Sequence, residues 1–151
     1  MSDENNFFDL KKVQEDLLKD EVMEEMNALN EAVKTITKER GQIHLSQMTD
    51  DEAEVYFNKS KQDVSYYAFF RYSLIDSKKK LHWYRNRFAC LTYSETFPVW
   101  IIDLKEENQE IKRFTERGSF HEFVKTMVNK ESFIRSLKRA MNGIVNIEDN
   151  T

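Results

Sequence analysis

The chain has little of what most sites and most compartments require. It contains one cysteine, Cys90, so no intramolecular disulfide can form and a reducing compartment is expected. Its three glycines, Gly41, Gly118 and Gly143, stand apart, which excludes a phosphate-cradling glycine loop of the P-loop or Rossmann kind. Its three histidines, His44, His82 and His121, are equally scattered, and no Cys or His has ligand spacing, so neither metal nor cofactor is expected. No apolar run approaches the ~20 residues of a membrane span. The opening MSDENNFFDLKK lacks the basic-then-apolar order of a signal peptide, and the protein is read as cytoplasmic.

Proline is also scarce, with Pro98 alone, while Asn, Lys, Glu and Phe are abundant. That composition matches an AT-rich coding genome such as a phage or mobile element. With 151 residues, 40% hydrophobic and 13% aromatic, the chain can bury a real core and is read as one domain over 1–151. The net charge of −4 is uneven: residues 1–60 hold 15 acidic and 7 basic side chains, and residues 61–151 hold 12 and 16.

Helical spacing runs through residues 7–40 at Leu10, Val13, Leu17, Leu18, Val22, Met26, Leu29, Val33 and Ile36. A single helix there would be about 45 Å long, so either it breaks near Lys19–Asp20 or one end projects. Gly41 reads as its C-terminal stop. The stripe serves either the core or a homodimer formed through this N-terminal helix. Residues 42–48 read as a connector or strand. Thr49 with Glu52 is a capping-box pattern opening a short helix that ends near Ser60. Ser119 with Glu122 is a second such pattern, and Asn129 reads as the cap of a last helix ending at Gly143, so residues 119–142 are helical. The polar tail, 146–151, is read as frayed.

Between these lies the organising stretch, Val64 to Phe114, read as an antiparallel meander of three or four strands. The fold class is therefore α+β, with a long N-terminal helix and two C-terminal helices on the meander. Four-residue turns would pair Ile75 with Lys80, Tyr93 with Pro98, and Lys105 with Glu110, setting Asp103 opposite Lys112. Alternation then sorts the side chains. One face holds Val64, Tyr66, Ala68, Phe70, Tyr72, Leu74, Leu81, Trp83, Ala89, Leu91, Trp100, Ile102 and Leu104, with Arg85 and Arg87 as dissonant members. The other holds Tyr67, Phe69, Arg71, Ile75, His82, Tyr84, Asn86, Phe88, Val99, Ile101, Asp103 and Lys112.

No convergent acid, base and nucleophile is visible, so a non-enzymatic protein is expected. Cys90 sits between Ala89 and Leu91 as a small apolar strand residue. Asp103, Glu106, Glu107 and Glu110 beside Lys105 and Lys112 have the residue types of a metal-dependent nuclease, but two of them fall in a turn, where charge is ordinary. The group with most to say is basic and aromatic: Arg71, Lys78, Lys79, Lys80, His82, Tyr84, Arg85, Arg87 and Phe88 on one hairpin, with Arg135, Lys138 and Arg139 on the last helix. Two functions fit it. The first is a small binding or inhibitor protein acting on a protein partner. The alternative is a nucleic-acid binder that stacks bases on Tyr84 and tracks phosphates with the cations, with weak, non-specific affinity expected.

Overall fold

The computed structural model describes residues 20–58 and 64–144. Helix α1 (Glu21–Ile36) leads into strand β1 (Gly41–Gln47) and helix α2 (Asp50–Phe57). Strands β2 (Val64–Ile75), β3 (Leu81–Tyr93), β4 (Val99–Asp103) and β5 (Lys112–Phe114) follow, then helices α3 (Arg117–Val128) and α4 (Glu131–Asn142). The architecture is α+β, and the antiparallel sheet has five strands in chain order, β1 supplying one more than the expected meander. The helix read over 7–19 and the tail read over 146–151 lie outside the described residues.

Helix α1 begins at Glu21, next to Lys19–Asp20, where a break was one of the two alternatives for the long stripe. Asp20 is extended, and its carboxylate accepts from the Met23 backbone N–H at 2.8 Å, closing the first turn. Its other oxygen receives the Tyr93 hydroxyl at 2.7 Å, tying the helix start to the sheet. Val22, Met26 and Val33 are buried in the chain's own core. The helix does not stop on Gly41, as the sequence implied. Thr37 caps it, and Lys38 and Glu39 take the left-handed backbone that turns the chain into β1. Gly41 has a different role: a Cβ there would lie 2.8 Å from the Phe70 ring.

The Thr49–Glu52 capping box forms as read, and α2 ends at Phe57, with Asn58 left-handed. The other two caps differ. Helix α3 starts two residues before Ser119, whose hydroxyl donates to the Glu116 carbonyl. Asn129 closes α3 by donating to the Lys125 carbonyl, and Lys130 precedes α4 instead. Gly143 does end α4 in the left-handed conformation. There Arg40 Nε donates to the Ala140 carbonyl at 2.9 Å, and its terminal nitrogen donates to the Met141 carbonyl. The backbone of β2 joins this corner, with Ser73 N–H donating to Arg40 O and Ile75 N–H to Gly143 O.

The sheet registers correct the sequence reading. Ile75 pairs with Leu81 rather than Lys80, and Tyr93 with Val99 rather than Pro98. In the first turn Asp76 takes over: its carboxylate accepts from Lys78 and Lys80 N–H at 2.8 and 2.9 Å, drawing the loop in with Lys79 left-handed. In β5, Lys112 faces Ile101, a shift of two that leaves Asp103 and Lys112 unpaired with each other. Asp103 is taken by Lys130, 2.7 Å away.

A bulge in β3 has the largest effect. Ala68 pairs with Ala89, but Phe69 pairs with Arg87, so Phe88 is an extra residue and alternation reverses there. Above the bulge, Ala89, Leu91 and Tyr93 face α1, α3 and α4; below it, Phe88, Asn86, Tyr84 and His82 do so. Leu81, Trp83, Arg85 and Arg87 therefore point to the opposite face, which resolves the dissonance of the two arginines. The shift at Val99 likewise puts Val99 and Ile101 in the helix-side core, while Trp100, Ile102 and Leu104 pack with Cys90. The β2 assignments hold. The helix-side core joins Ala68, Phe70, Tyr72, Leu74, Leu91 and Ile101 to Val22, Met26, Phe120, Val124 and Phe133. Each large apolar side chain among these contributes roughly 1.5–3 kcal/mol on burial. A second core lies under α2, where Phe57 and Met48 cover Tyr67, Phe69, Cys90 and Ile102.

Candidate binding face

Helix α2 covers only the upper part of the second sheet face. The lower part, made by β2 and β3 beyond the bulge, is open. On it Arg71, Ile75, Leu81, Trp83, Arg85 and Arg87 are all exposed, Trp83 and Leu81 at 54% each. Cross-strand and diagonal neighbours on one face touch, and here they are arginines on aromatic rings. The Arg71 guanidinium lies 4.4 Å from the Trp83 ring centre. Arg85 lies 3.8 Å from Phe69, and Arg87 lies 3.8 Å from Tyr67 and 5.7 Å from Phe69. Each contact of this kind contributes about 0.5–1 kcal/mol when exposed and more when desolvated. The result is a stripe of cations, each seated against an aromatic ring. His44 of β1 borders it and, with Arg71, Trp83 and Arg85, lines a shallow hollow of 330 Å³.

Glu52 anchors the upper end. Its carboxylate completes the α2 capping box and accepts the Tyr67 hydroxyl at 2.7 Å. The Thr49 backbone N–H and the Tyr67 hydroxyl hold Glu52 below the usual carboxylate range. Burial and the Glu52 carboxylate push the Tyr67 hydroxyl well above the usual phenol range. Tyr67 is thus fixed as a neutral donor, and its ring is a fixed support for Arg87.

The basic residues read from sequence do not form one surface. Arg71, Arg85 and Arg87 share the open face. Lys78, Lys79 and Lys80 stand exposed at the hairpin tip. On the helix side, His82 Nε2 sits 2.7 Å from Asp76 Oδ2. Tyr84 is stacked on Tyr72 at 5.3 Å, and Arg139 lies 5.2 Å from its ring, so Tyr84 is already partnered twice. Arg135 pairs with Glu131 at 2.8 Å, and Lys138 is exposed on the same helix. Where α4 meets the bulge, a second hollow of 280 Å³ has an apolar floor of Phe70, Phe88 and Phe133, with Lys105, Arg135 and Arg139 among its walls.

Sequence reasoning missed Trp83, Leu81, Tyr67 and Phe69 as members of the open face or its supports. The available signal was the pair Arg85 and Arg87 falling in an apolar set, which marks a change of phase before Ala89.

Several of the remaining candidates have structural partners. Lys130 bridges Asp103 and Glu106. Burial lowers the Lys130 pKa, but bonds to Asp103 and Glu106 more than offset it, and the ammonium is held above its ordinary range. Glu110 pairs with Lys112 at 3.1 Å. Cys90 is fully buried, and burial pushes its thiol up to about 12 despite the opposing pull of Arg87. Among the described residues, no three His, Cys, Asp or Glu side chains gather as a metal ion would need. No helix among them is long and apolar enough to cross a membrane. Compared with known proteins, the chain matches no family model, no curated protein and no solved structure.

Proposed function

We propose that this is a small non-enzymatic binding protein, acting in the cytoplasm on a protein partner as an adaptor or inhibitor, and that the open β2–β3 face makes the contact. The observation that supports this most is Trp83: a large aromatic left half exposed, flanked by Arg71 and bordered by Leu81 and Ile75. Trp, Tyr and Arg are the residues that dominate protein-binding energy, and anchors held rigid before binding lose little entropy on contact.

Nucleic-acid binding is the second reading, favoured by the arginines on the sheet. The stacking platform counts against it. Tyr67 and Phe69 are buried and capped by guanidinium groups, and Tyr84 already has two partners, leaving Trp83 as the exposed ring of the set. The cations are also divided between the two faces and the tip, so a strand tracking one group leaves the others behind.

The test is affinity capture with the whole chain as bait, with and without nuclease, beside a Trp83→Ala and Arg71→Glu double variant. A protein retained after nuclease and lost with the variant is the expected result. Sub-micromolar, salt-sensitive binding to a defined oligonucleotide, with capture abolished by nuclease, would establish the second reading instead. Light scattering on the same preparation tests the homodimer through the N-terminal helix.

A further inference from the structure

Strand β4 pairs with β3 only from Ala89 to Tyr93. Below that, Leu104 N–H reaches the Phe88 carbonyl and the chain turns away. Among the described residues, no strand lies beside Leu81–Arg87 on that side. The direction of the backbone groups follows from the ladder. Ser73 and Ile75 point their N–H groups away from β3, to Arg40 O and Gly143 O. Tyr72 and Leu74 therefore point theirs toward β3, where their partners are Tyr84 and His82. Leu81, Trp83 and Arg85 must then turn N–H and C=O outward, along an open edge within the longest strand of the sheet.

We infer that this edge takes up an extended acidic segment of the protein partner as an added β-strand, an inference that rests on the protein-binding reading above. An added strand places alternate side chains on opposite faces. Here both faces offer cations: Arg85 and Arg87 on the open face, and on the helix side Lys105 and Arg139, beside Arg135 paired with Glu131 and Asp103 held by Lys130, with Lys79 and Lys80 at the tip. The 280 Å³ hollow opens on the helix side of the same edge, its aromatic floor suited to one apolar side chain among acidic ones. Charge on an edge strand is also a general guard against self-pairing, and it acts so here. A second copy would bring the same cation-rich edge alongside itself, which is unfavourable. The occupant is therefore an acidic segment of a different protein.

The probe is a labelled eight-residue peptide rich in Glu with Phe at its centre, titrated by fluorescence anisotropy against the whole chain. Three companions are the same peptide N-methylated at alternate residues, its Lys-for-Glu counterpart and an oligo-dT strand. Arg85→Pro removes both a charge and an outward N–H, an exchange that an edge position tolerates; Arg85→Ala removes the charge alone. The acidic peptide is expected to bind, to weaken about tenfold or more on N-methylation, and to weaken more with Arg85→Pro than with Arg85→Ala. If Arg85→Pro does not fold, the N-methylated peptide carries the same test. The Lys-for-Glu peptide is expected not to bind, and binding as tight as that of the acidic peptide overturns the charge assignment. Equal binding of the N-methylated peptide overturns strand addition and leaves the protein-binding face standing. Failure of the acidic peptide to bind, while Trp83-dependent capture of a protein persists, also overturns this inference alone. Tight binding of oligo-dT with none of the peptide overturns both.

Discussion

Substituting Gly41→Ala sets two effects of opposite sign against each other. At a compatible backbone, Gly→Ala stabilises by about 0.4–1 kcal/mol, because the unfolded chain loses freedom. Gly41 is an ordinary strand residue with no positive φ, so that gain is available. The new methyl, however, would sit 2.8 Å from Phe70 Cε1 and 3.2 Å from Thr37 Oγ1. Phe70 cannot yield easily: it is fully buried, with Tyr72 at 5.0 Å and Phe133 of α4 at 5.1 Å. Overpacking of this kind costs about 1–3 kcal/mol, so the net runs from roughly no change to a loss of about 2.6 kcal/mol. For a chain of this size that lowers the melting temperature by up to about 10 °C. Gly118 is the matched control. It lies in α3, and a Cβ added to it would meet nothing within 4 Å, so Gly118→Ala is expected to stabilise by up to about 1 kcal/mol. Urea denaturation of both variants, and of Gly41→Ala with Phe70→Leu, checks the reasoning. In the Phe70→Leu background the Gly41→Ala cost should shrink or change sign. Equal stabilisation by the two alanines would refute the packing argument.

Three further outcomes are expected. Burial raises the Glu25 pKa, but hydrogen bonds from His121 and Arg117 outweigh it and hold the carboxyl below its ordinary range. Its stabilisation is therefore present above the unfolded pKa and lost as pH falls toward the folded one. Between about pH 5 and pH 3 the urea midpoint should fall less steeply in Glu25→Gln than in the parent; equal slopes would count against the site. Thr49→Ala removes the α2 cap and should cost about 0.5–2 kcal/mol in thermal melts, so an unchanged melt would deny the capping box its role. A thiol reagent should modify Cys90 only as fast as the protein opens, and rapid labelling of the native chain would contradict its burial.

The fold class and the order of elements were legible because helical spacing, the Thr49–Glu52 box, Gly143 and the long alternating runs are local signals. The register was not. The first turn is set by the Asp76 side chain, which looks like any turn aspartate until its backbone partners are known. The bulge at Phe88 inserts one residue, and in sequence an insertion cannot be told from a faulty alternation. Arginines stacked on buried rings hid the change of phase further, because Arg85 and Arg87 read simply as misplaced. The exit from α1 was illegible for another reason. Lys38 and Glu39 take left-handed backbone that propensity assigns to glycine, and the corner is held by Thr37 Oγ1, which accepts the Gly41 N–H at 2.9 Å. The open face follows from the bulge, so its central residue, Trp83, was assigned to the core.

The corner at Arg40 bears on the order in which the chain folds. Strands that pair in chain order close short loops, so the meander can assemble as it leaves the ribosome. The bond from Arg40 to Ala140 spans 100 residues and cannot form until residue 140 has been made. Among the described elements, helix α4 is the last to be made and so the last that can be seated. Arg40→Met should accordingly speed unfolding and leave the folding rate nearly unchanged. Until that helix arrives, the rings of Phe70 and Phe88 have no Phe133 over them, and a nascent chain is most exposed to aggregation during that interval.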